Sequence, residues 1–362
     1  MKKIISLATA FIIVFSVCLS SSAGSYDNPP ETVKINNQYG FRYTEYTDAE
    51  HRTVRTYSAT DNTNVQNGTA LCSLQSDSDY LRTKSILSSL GMGDDFIAEL
   101  SDEQLNEYAS SESIYASTEY IRTDMNGNQT TVSEEEALNA SASVNPTAAP
   151  PTDDFVDDGG GDYPVYYDIM TDEYMKLVLV ISYKGNAEYN FSVDATWLTA
   201  PTWRLQDCLG ITMTKMALSV GTCSGWYSYT QHTVNGYTGT STETPVKNNF
   251  PTSGFNLVTN GSWNGIAVTF KLPNQSSSID YMYYQTNMKY HMEFTGAIDS
   301  PDSRQNFMVS ASYDHMKAKL SLSSPSISIS SDGTASASIG FDLSSGHDRR
   351  TIIYPEYIQY EP

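Results

Sequence analysis

The C-terminal half of the sequence predicts an antiparallel β-sandwich or barrel-like domain, preceded by a small α+β or partly disordered N-terminal region. Three observations predict it. The stretch EYNFSVDATW, Glu188 to Trp197, places Tyr189, Phe191, Val193, Ala195 and Trp197 on every second position with polar residues between them. Side chains alternate between faces along a strand, so this reads as a strand with one dry and one wet face. From Tyr163 onward nearly every segment has strand character, about ten strands with no convincing helix. Residues 139–164, NASASVNPTAAPPTDDFVDDGGGDYP, have the Pro, Asp and Gly composition of a linker and set that half apart.

The 362-residue chain opens on Lys2 and Lys3, an apolar run Ile4 to Leu19, and small residues up to Ala23. That is the pattern of a secretory signal, with cleavage expected after Ala23. No later run is apolar enough to span a bilayer, so the expectation is a secreted, extracellular protein with no transmembrane anchor once the signal is removed.

Residues 24–70 are polar, with short strand candidates around Phe41 to Tyr46 and Thr53 to Tyr57. There is too little apolar material for a core of their own, and disorder is as good an expectation. Residues 71–138 read as a small helical cluster plus a hairpin, a pro-segment or accessory region. Gly91 stops a first helix. Ser101 with Gln104 forms a capping box. Asn126-Gly127 is a hairpin turn signal that only partly matches a calcium loop. Residues 165–362 are then the β-sandwich domain. LVLVIS within Tyr174 to Tyr183 is a strand covered on both faces. Tyr281 to Thr295 is the longest alternating segment, with a candidate bend or break at Gln285-Thr286-Asn287. Ser326 to Phe341 is a hairpin around Asp332-Gly333.

Charge is unevenly shared. Residues 24–162 hold 25 acidic and 7 basic side chains, a net of −18, and residues 163–362 hold 17 and 12, a net of −5. An acidic surface repels phosphate backbones, which argues against a nucleic-acid partner. Cys208 and Cys223 are either a disulfide, which a secreted protein can hold, or two buried thiols, and Cys72 is left alone in both cases.

Two stretches carry a resemblance. LGMGDDFIAELSDEQLNEYA resembles the leading region of uncharacterised secreted bacterial proteins. TWLTAPTWRLQDCLGI, through Thr196, Trp197, Leu198, Pro201, Arg204, Asp207 and Ile211, is similar to a TWL-x-x-P-x-x-R-x-x-D pattern in their second half. The resemblance implies secretion and a β-rich C-terminal domain, and no activity. Within that motif, Arg204 and Asp207 are candidates for a structural ion pair beneath Trp197.

Catalytic motifs are absent from the sequence. His51, His232, His291, His315 and His347 form no HExxH or paired-ligand spacing, and no G-x-S-x-G elbow or phosphate-cradling loop occurs, so no cofactor and no metal is expected. His291 and Glu293 share the wet face of one strand, a two-residue constellation only. Aromatics are the notable feature, with 26 tyrosines and 4 tryptophans. Trp203, Trp226, Tyr227, Tyr229 and Trp263 lie near turns, where exposed rings suit stacking on sugars or packing on another protein. The leading expectation is a non-enzymatic protein binding a glycan or a cell-surface protein. The alternatives are a β-pore-forming protein whose stem is the hairpin 326–341, with Ile327, Ile329, Ala335, Ala337 and Ile339 toward lipid, and a hydrolase with an unrecognised site.

Overall fold

The computed structural model describes residues 31–62, 77–124, 126–143, 172–199, 201, 206–271, 276–277, 280–316, 325–329, 337–341 and 347–362. Its first three strands, β1 (Thr32–Asn36), β2 (Phe41–Thr47) and β3 (Thr53–Ser58), pair antiparallel in sequence order. The sequence left disorder open here. Order comes from apolar residues that alternate in sparse pairs: Phe41 and Tyr57 are buried on one face, Tyr46 and Val54 on the other. Each face joins a core supplied by later parts of the chain.

Short helix α1 (Ala59–Asn62) follows, then α2 (Asp77–Ser89), α3 (Asp94–Glu99) and α4 (Asp102–Ala109). Gly91, at φ +102°, ends the turn after α2. This left-handed geometry is open to glycine and strained for other residues. The capping box is present: Ser101 Oγ accepts from Gln104 N, and Gln104 Oε1 accepts from Ser101 N at 2.7 Å. β4 (Ser113–Thr123) and β5 (Gln129–Val132) make the expected hairpin. Asp124 spends its carboxylate on the turn, accepting from the Asn126 and Asn128 backbone and from Asn128 Nδ2. α5 (Glu134–Ser143) then runs into the segment expected to be linker, with Glu134, Glu135 and Glu136 in its first turn, where the helix dipole favours them.

The remaining strands are β6 (Glu173–Gly185), β7 (Glu188–Trp197), β8 (Gln206–Thr214), β9 (Met216–Leu218), β10 (Ser224–Asn235), β11 (Ser241–Asn249), β12 (Phe255–Asn260), β13 (Trp263–Lys271), β14 (Ser276–Ser277), β15 (Tyr281–Ile298), β16 (Gln305–Phe307), β17 (Val309–Met316), β18 (Pro325–Ile329), β19 (Ala337–Phe341), β20 (His347–Ile353) and β21 (Ile358–Tyr360). A 12-stranded antiparallel sheet has the order β1-β2-β3-β4-β6-β7-β15-β10-β11, with β5, β9 and β14 paired alongside. A 5-stranded sheet has the order β12-β13-β8-β17-β20, and β16-β21 and β18-β19 are two small ribbons.

The large sheet crosses the segment read as a domain linker. β4 pairs with β6 from Ser113–Tyr183 to Thr123–Glu173, and residues 31–362 pack as one unit. The N-terminal strands are therefore built into the same sheet as β6, β7 and β15, and the sheet has no division at 139–164.

Three layers result. Leu177, Leu179, Phe191, Val193, Met292 and Phe294 of the large sheet face Leu209, Ile211, Ile266, Val268, Val309 and Ile352 of the small one across the main core. Val178 and Val180 point the opposite way, into a second core with Leu87, Leu90, Phe96 and Leu105 of the helices. The LVLVIS strand is thus covered on both faces, as its uninterrupted apolar run predicts. The ribbon β18-β19 adds Ile327 to a small cluster with Cys208, Trp263 and Ala267 on the outer side of the small sheet.

The helical layer corrects one reading. The dry face of β7 faces the core, but its polar face is not wet: Asn190, Ser192 and Asp194 are buried. The same holds for His291 and Glu293 on β15. β15 also runs unbroken for 18 residues through Gln285-Thr286-Asn287. The irregularity there is absorbed by Asn287 at φ 53° and a register shift against β10 between Ser228 and Thr230.

Candidate functional site

Where helices cover the polar face of β7 and β15, buried polar groups have to find one another, since an unpaired buried charge costs several kcal/mol. β7 and β15 pair with Asp194 opposite His291. His291 Nδ1 lies 2.6 Å from Asp194 Oδ1, and His291 Nε2 lies 3.7 Å from Glu293 Oε2, two residues along the same face. Burial alone lowers an imidazole's affinity for a proton. The hydrogen bond to Asp194 and the negative charge of Asp194 and Glu293 outweigh it here and raise the His291 pKa to about 10. For Glu293, burial pushes upward, but His291, Gln104 and Ser224 hold its carboxyl below the usual range. The arrangement is a row of Asp194, the His291 imidazole and Glu293 along one buried face.

Glu293 Oε1 accepts from Ser224 Oγ at 2.9 Å and from Gln104 Nε2. Gln104 therefore works twice. One amide atom closes the capping box of α4 and the other binds the strand beneath. Glu293 Oε2 has no hydrogen-bond partner among the described residues. Trp226 on β10 stacks over His291 at 5.7 Å between ring centroids and over Phe96 of α3 at 5.2 Å, and the Lys247 ammonium of β11 lies 4.8 Å from the Trp226 ring centroid. Lys247 also pairs with Glu99.

Beside this cluster opens a cleft of about 610 Å³ between α4 and the end of β10, β11 and β15. Glu293, Trp226, Asn190, Asn249, Gln104 and Ser224 are among its lining residues. A cleft of similar size, about 600 Å³, lies against α5, but Tyr120, the buried side chain in it, has its hydroxyl donated to Glu134 Oε1 at 2.6 Å. The first cleft is the candidate site because it has a buried charged group in its lining.

A second buried polar network spans the two sheets. Asp207 Oδ1 lies 3.0 Å from His315 Nδ1, and Asp207 Oδ2 accepts from Tyr313 OH, which itself accepts from Trp197 Nε1 at 3.0 Å. Arg350 lies 4.4 Å from the Trp197 ring centroid and donates to Thr123 Oγ1 and Glu173 Oε2. Arg350 and His315 are fully enclosed, so this network reads as structural.

The residues expected from sequence are dispersed. Trp203, Arg204 and Cys72 lie outside the described residues; Asp207, the other half of the expected ion pair, is partnered by His315 and Tyr313. Trp226 reaches the cleft but is 9% exposed, beneath Lys247. Tyr227 and Tyr229 point the other way, against the main core beside Phe250 and Phe270, and Trp263 is buried under the β18-β19 ribbon. None of these four offers a free ring, because strand alternation and the third layer take them inward. Among the described residues, the most exposed rings are Tyr237 (73%), Tyr281 and Tyr283 at the end of β10 and β15, and Tyr357 between β20 and β21. Of the two states left open for the cysteines, the thiols are found: Cys208 and Cys223 are unbridged, one on the outer face of the small sheet and one beside the large sheet. Burial raises the Cys223 thiol to about 12 and Cys208 further. The signal for His291 and Glu293 was legible as two polar residues on one strand face. Asp194 and Gln104 gave none, because the pairing of β15 with β7 and the docking of α4 are tertiary.

No protein-family model matches the chain, and no curated protein matches it. Among solved structures, the Clostridium perfringens delta-toxin is similar at 6% identity and a TM-score of 0.17, over 52% of this chain and 89% of that one, a likeness that carries no argument.

Proposed function

We propose that this chain is a secreted, non-enzymatic β-sandwich protein that binds a glycan at the cell surface through the cleft beside Glu293. The observation that carries the reading is the cleft lining. Amides and hydroxyls (Gln104, Asn190, Asn249, Ser224) stand around an anionic carboxylate and the edge of an indole, groups that suit a polyhydroxylated ligand. The hydrolase reading is weaker on physical grounds. A general acid or base works with a pKa near the operating pH, whereas His291 is held up at about 10 and Glu293 is held down. Secretion rests on the signal-like leader. Mass spectrometry of protein recovered from culture medium checks it, with a mature chain beginning at Gly24 expected.

The binding test is a glycan array probed with the mature full-length chain and with Asn249→Trp. Asn249 is exposed in the cleft, so the indole fills the site without entering the core. Glycans retained by the parent and lost by the variant, at equal melting temperature, support the reading. An array with no retained glycan ends it. The pore-forming alternative draws on one feature, the pairing of β18 and β19 as a ribbon of their own. Liposome leakage tests it, and intact liposomes after exposure to the full chain and to its proteolysed form dismiss it.

A further inference from the structure

The charged residues of the cleft say what kind of glycan it takes, and this inference rests on the binding reading above. Glu99, Glu103, Glu107 and Glu293 line it, against Lys247 alone. Of these, Glu107 is answered from outside the cleft by Lys184 at 3.2 Å. An acidic lining by itself defines no site, but two further features point to a cation. Glu293 is more than nine-tenths buried; its Oε1 is held by Gln104 and Ser224 and its charge faces His291, but its Oε2 accepts no hydrogen bond among the described residues, His291 Nε2 at 3.7 Å being too far for one. The second is Lys247. Its ammonium already occupies a cation position, over the Trp226 ring and against the Glu99 carboxylate.

Lys247 is poorly anchored for that role. It sits on β11, the last strand of the large sheet, where only Val246 is partly covered and every other residue is exposed. Pro245 beside it removes a backbone donor. A lysine side chain carries several rotatable bonds and regains rotamer freedom when released into water. The aromatic face and the carboxylate beneath it are fixed, by contrast, by Phe96, His291 and the pairing of β10 with β15.

We propose that the cleft is a receptor for an amine-bearing glycan, one with free amino groups on its sugars, and that Lys247 is an internal placeholder for the ligand's ammonium. A sugar ammonium displaces Lys247 from Trp226 and Glu99, while the hydroxyls take hydrogen bonds from Gln104, Asn190 and Asn249. Because the ligand competes with a tethered group, the affinity measured in the parent chain is reduced by the fraction of molecules in which Lys247 occupies the position.

The test is calorimetric titration of the mature full-length chain with glucosamine hexamer and with N-acetylglucosamine hexamer, which differ in the charge on nitrogen. Binding of the amine at least about tenfold tighter than the acetylated form is expected. Lys247→Ala is expected to tighten amine binding about three- to tenfold, and Glu99→Gln, a change at the exposed rim, to weaken it. Glu293→Gln is expected to weaken it more, with circular dichroism checking that the variant folds and Glu99→Gln carrying the argument if it does not. Equal binding of the two hexamers overturns the charge inference and leaves the glycan reading standing. So does binding of other array glycans with neither hexamer bound. Weaker amine binding in Lys247→Ala overturns the placeholder role. Retention of a lysine-rich peptide in place of glucosamine overturns the glycan in favour of a protein ligand, and an array with no retained glycan removes both readings.

Discussion

Two buried ionisable residues set how stability depends on pH. His291 has its pKa raised from 6.5 to about 10, so its contribution is complete below pH 6.5 and is lost as pH rises toward 10. Glu119, buried on β4, is raised from 4.5 to about 8 by desolvation, against the pull of Arg52. It keeps its proton in the folded state, and its contribution is lost as pH rises from 4.5 to 8. Both act in the same direction, so melting temperature is expected to decline steadily from mildly acid to alkaline pH. Glu119→Gln removes the lower part of that decline, raising stability at pH 8 by about 2–4 kcal/mol and changing little at pH 4.5. Thermal melts of both proteins across this range check it, and parallel curves would refute the assignment. Gly225 is a steric counterpart. A Cβ there would stand 2.5 Å from the His291 carbonyl oxygen and 2.9 Å from Phe250 Cδ2. Gly225→Ala is expected to cost about 2–4 kcal/mol in urea unfolding, because the nearest atom is backbone of the neighbouring strand and cannot rotate away.

At the scale of elements, α4 ties the helical layer to the sheet through one side chain. Gln104→Ala removes both the reciprocal half of the capping box and the donor to Glu293. The expected loss is about 1.5–3 kcal/mol, larger than for Ser101→Ala, which removes only the cap; equal losses in denaturant melts would place Gln104 outside the Glu293 cluster. This element also shows what could be read in the sequence. Ser101, Gln104 and Gly91 are local signals, and each appears where it was expected. The alternations of β7 and β15 were equally legible, since Phe191, Val193, Met292 and Phe294 carry their own period. What the period cannot say is which layer covers the polar side. Asn190, Ser192, Asp194, His291 and Glu293 read as solvent-facing until α3 and α4 are docked on them, and docking is decided by residues far away in the chain, 84 positions for Tyr108 on Ser192 and 189 for Gln104 on Glu293. The exposed strands β11 and β12 escaped notice for the opposite reason. The Ser, Thr and Asn residues of β11 have no hydrophobic alternation to detect, and β12 offers only Phe255 and Leu257 on one face of a six-residue strand. The strand pairs at 41–58 had a signal, but too weak a one to separate from disorder without the core they join.

For the whole molecule, continuity of the large sheet across residues 139–164 changes what can be cut away. A fragment beginning at residue 163 lacks β4, which covers one edge of β6, and lacks α2, α3 and α4, which cover Val178, Val180 and Trp226. It is expected to aggregate on expression and to elute near the void volume in size-exclusion chromatography, since a bare edge beside an apolar face is a template for self-association. A monomeric, folded fragment would show the N-terminal region to be dispensable. The order β7-β15-β10 has its own consequence for the making of the protein. A growing chain carries two strands, ending at residues 197 and 235, whose shared neighbour does not yet exist until residue 298 has been synthesised. Native closure waits for the late insertion of one ribbon between two early ones, the kind of long-range pairing that slows folding and leaves a nascent chain vulnerable.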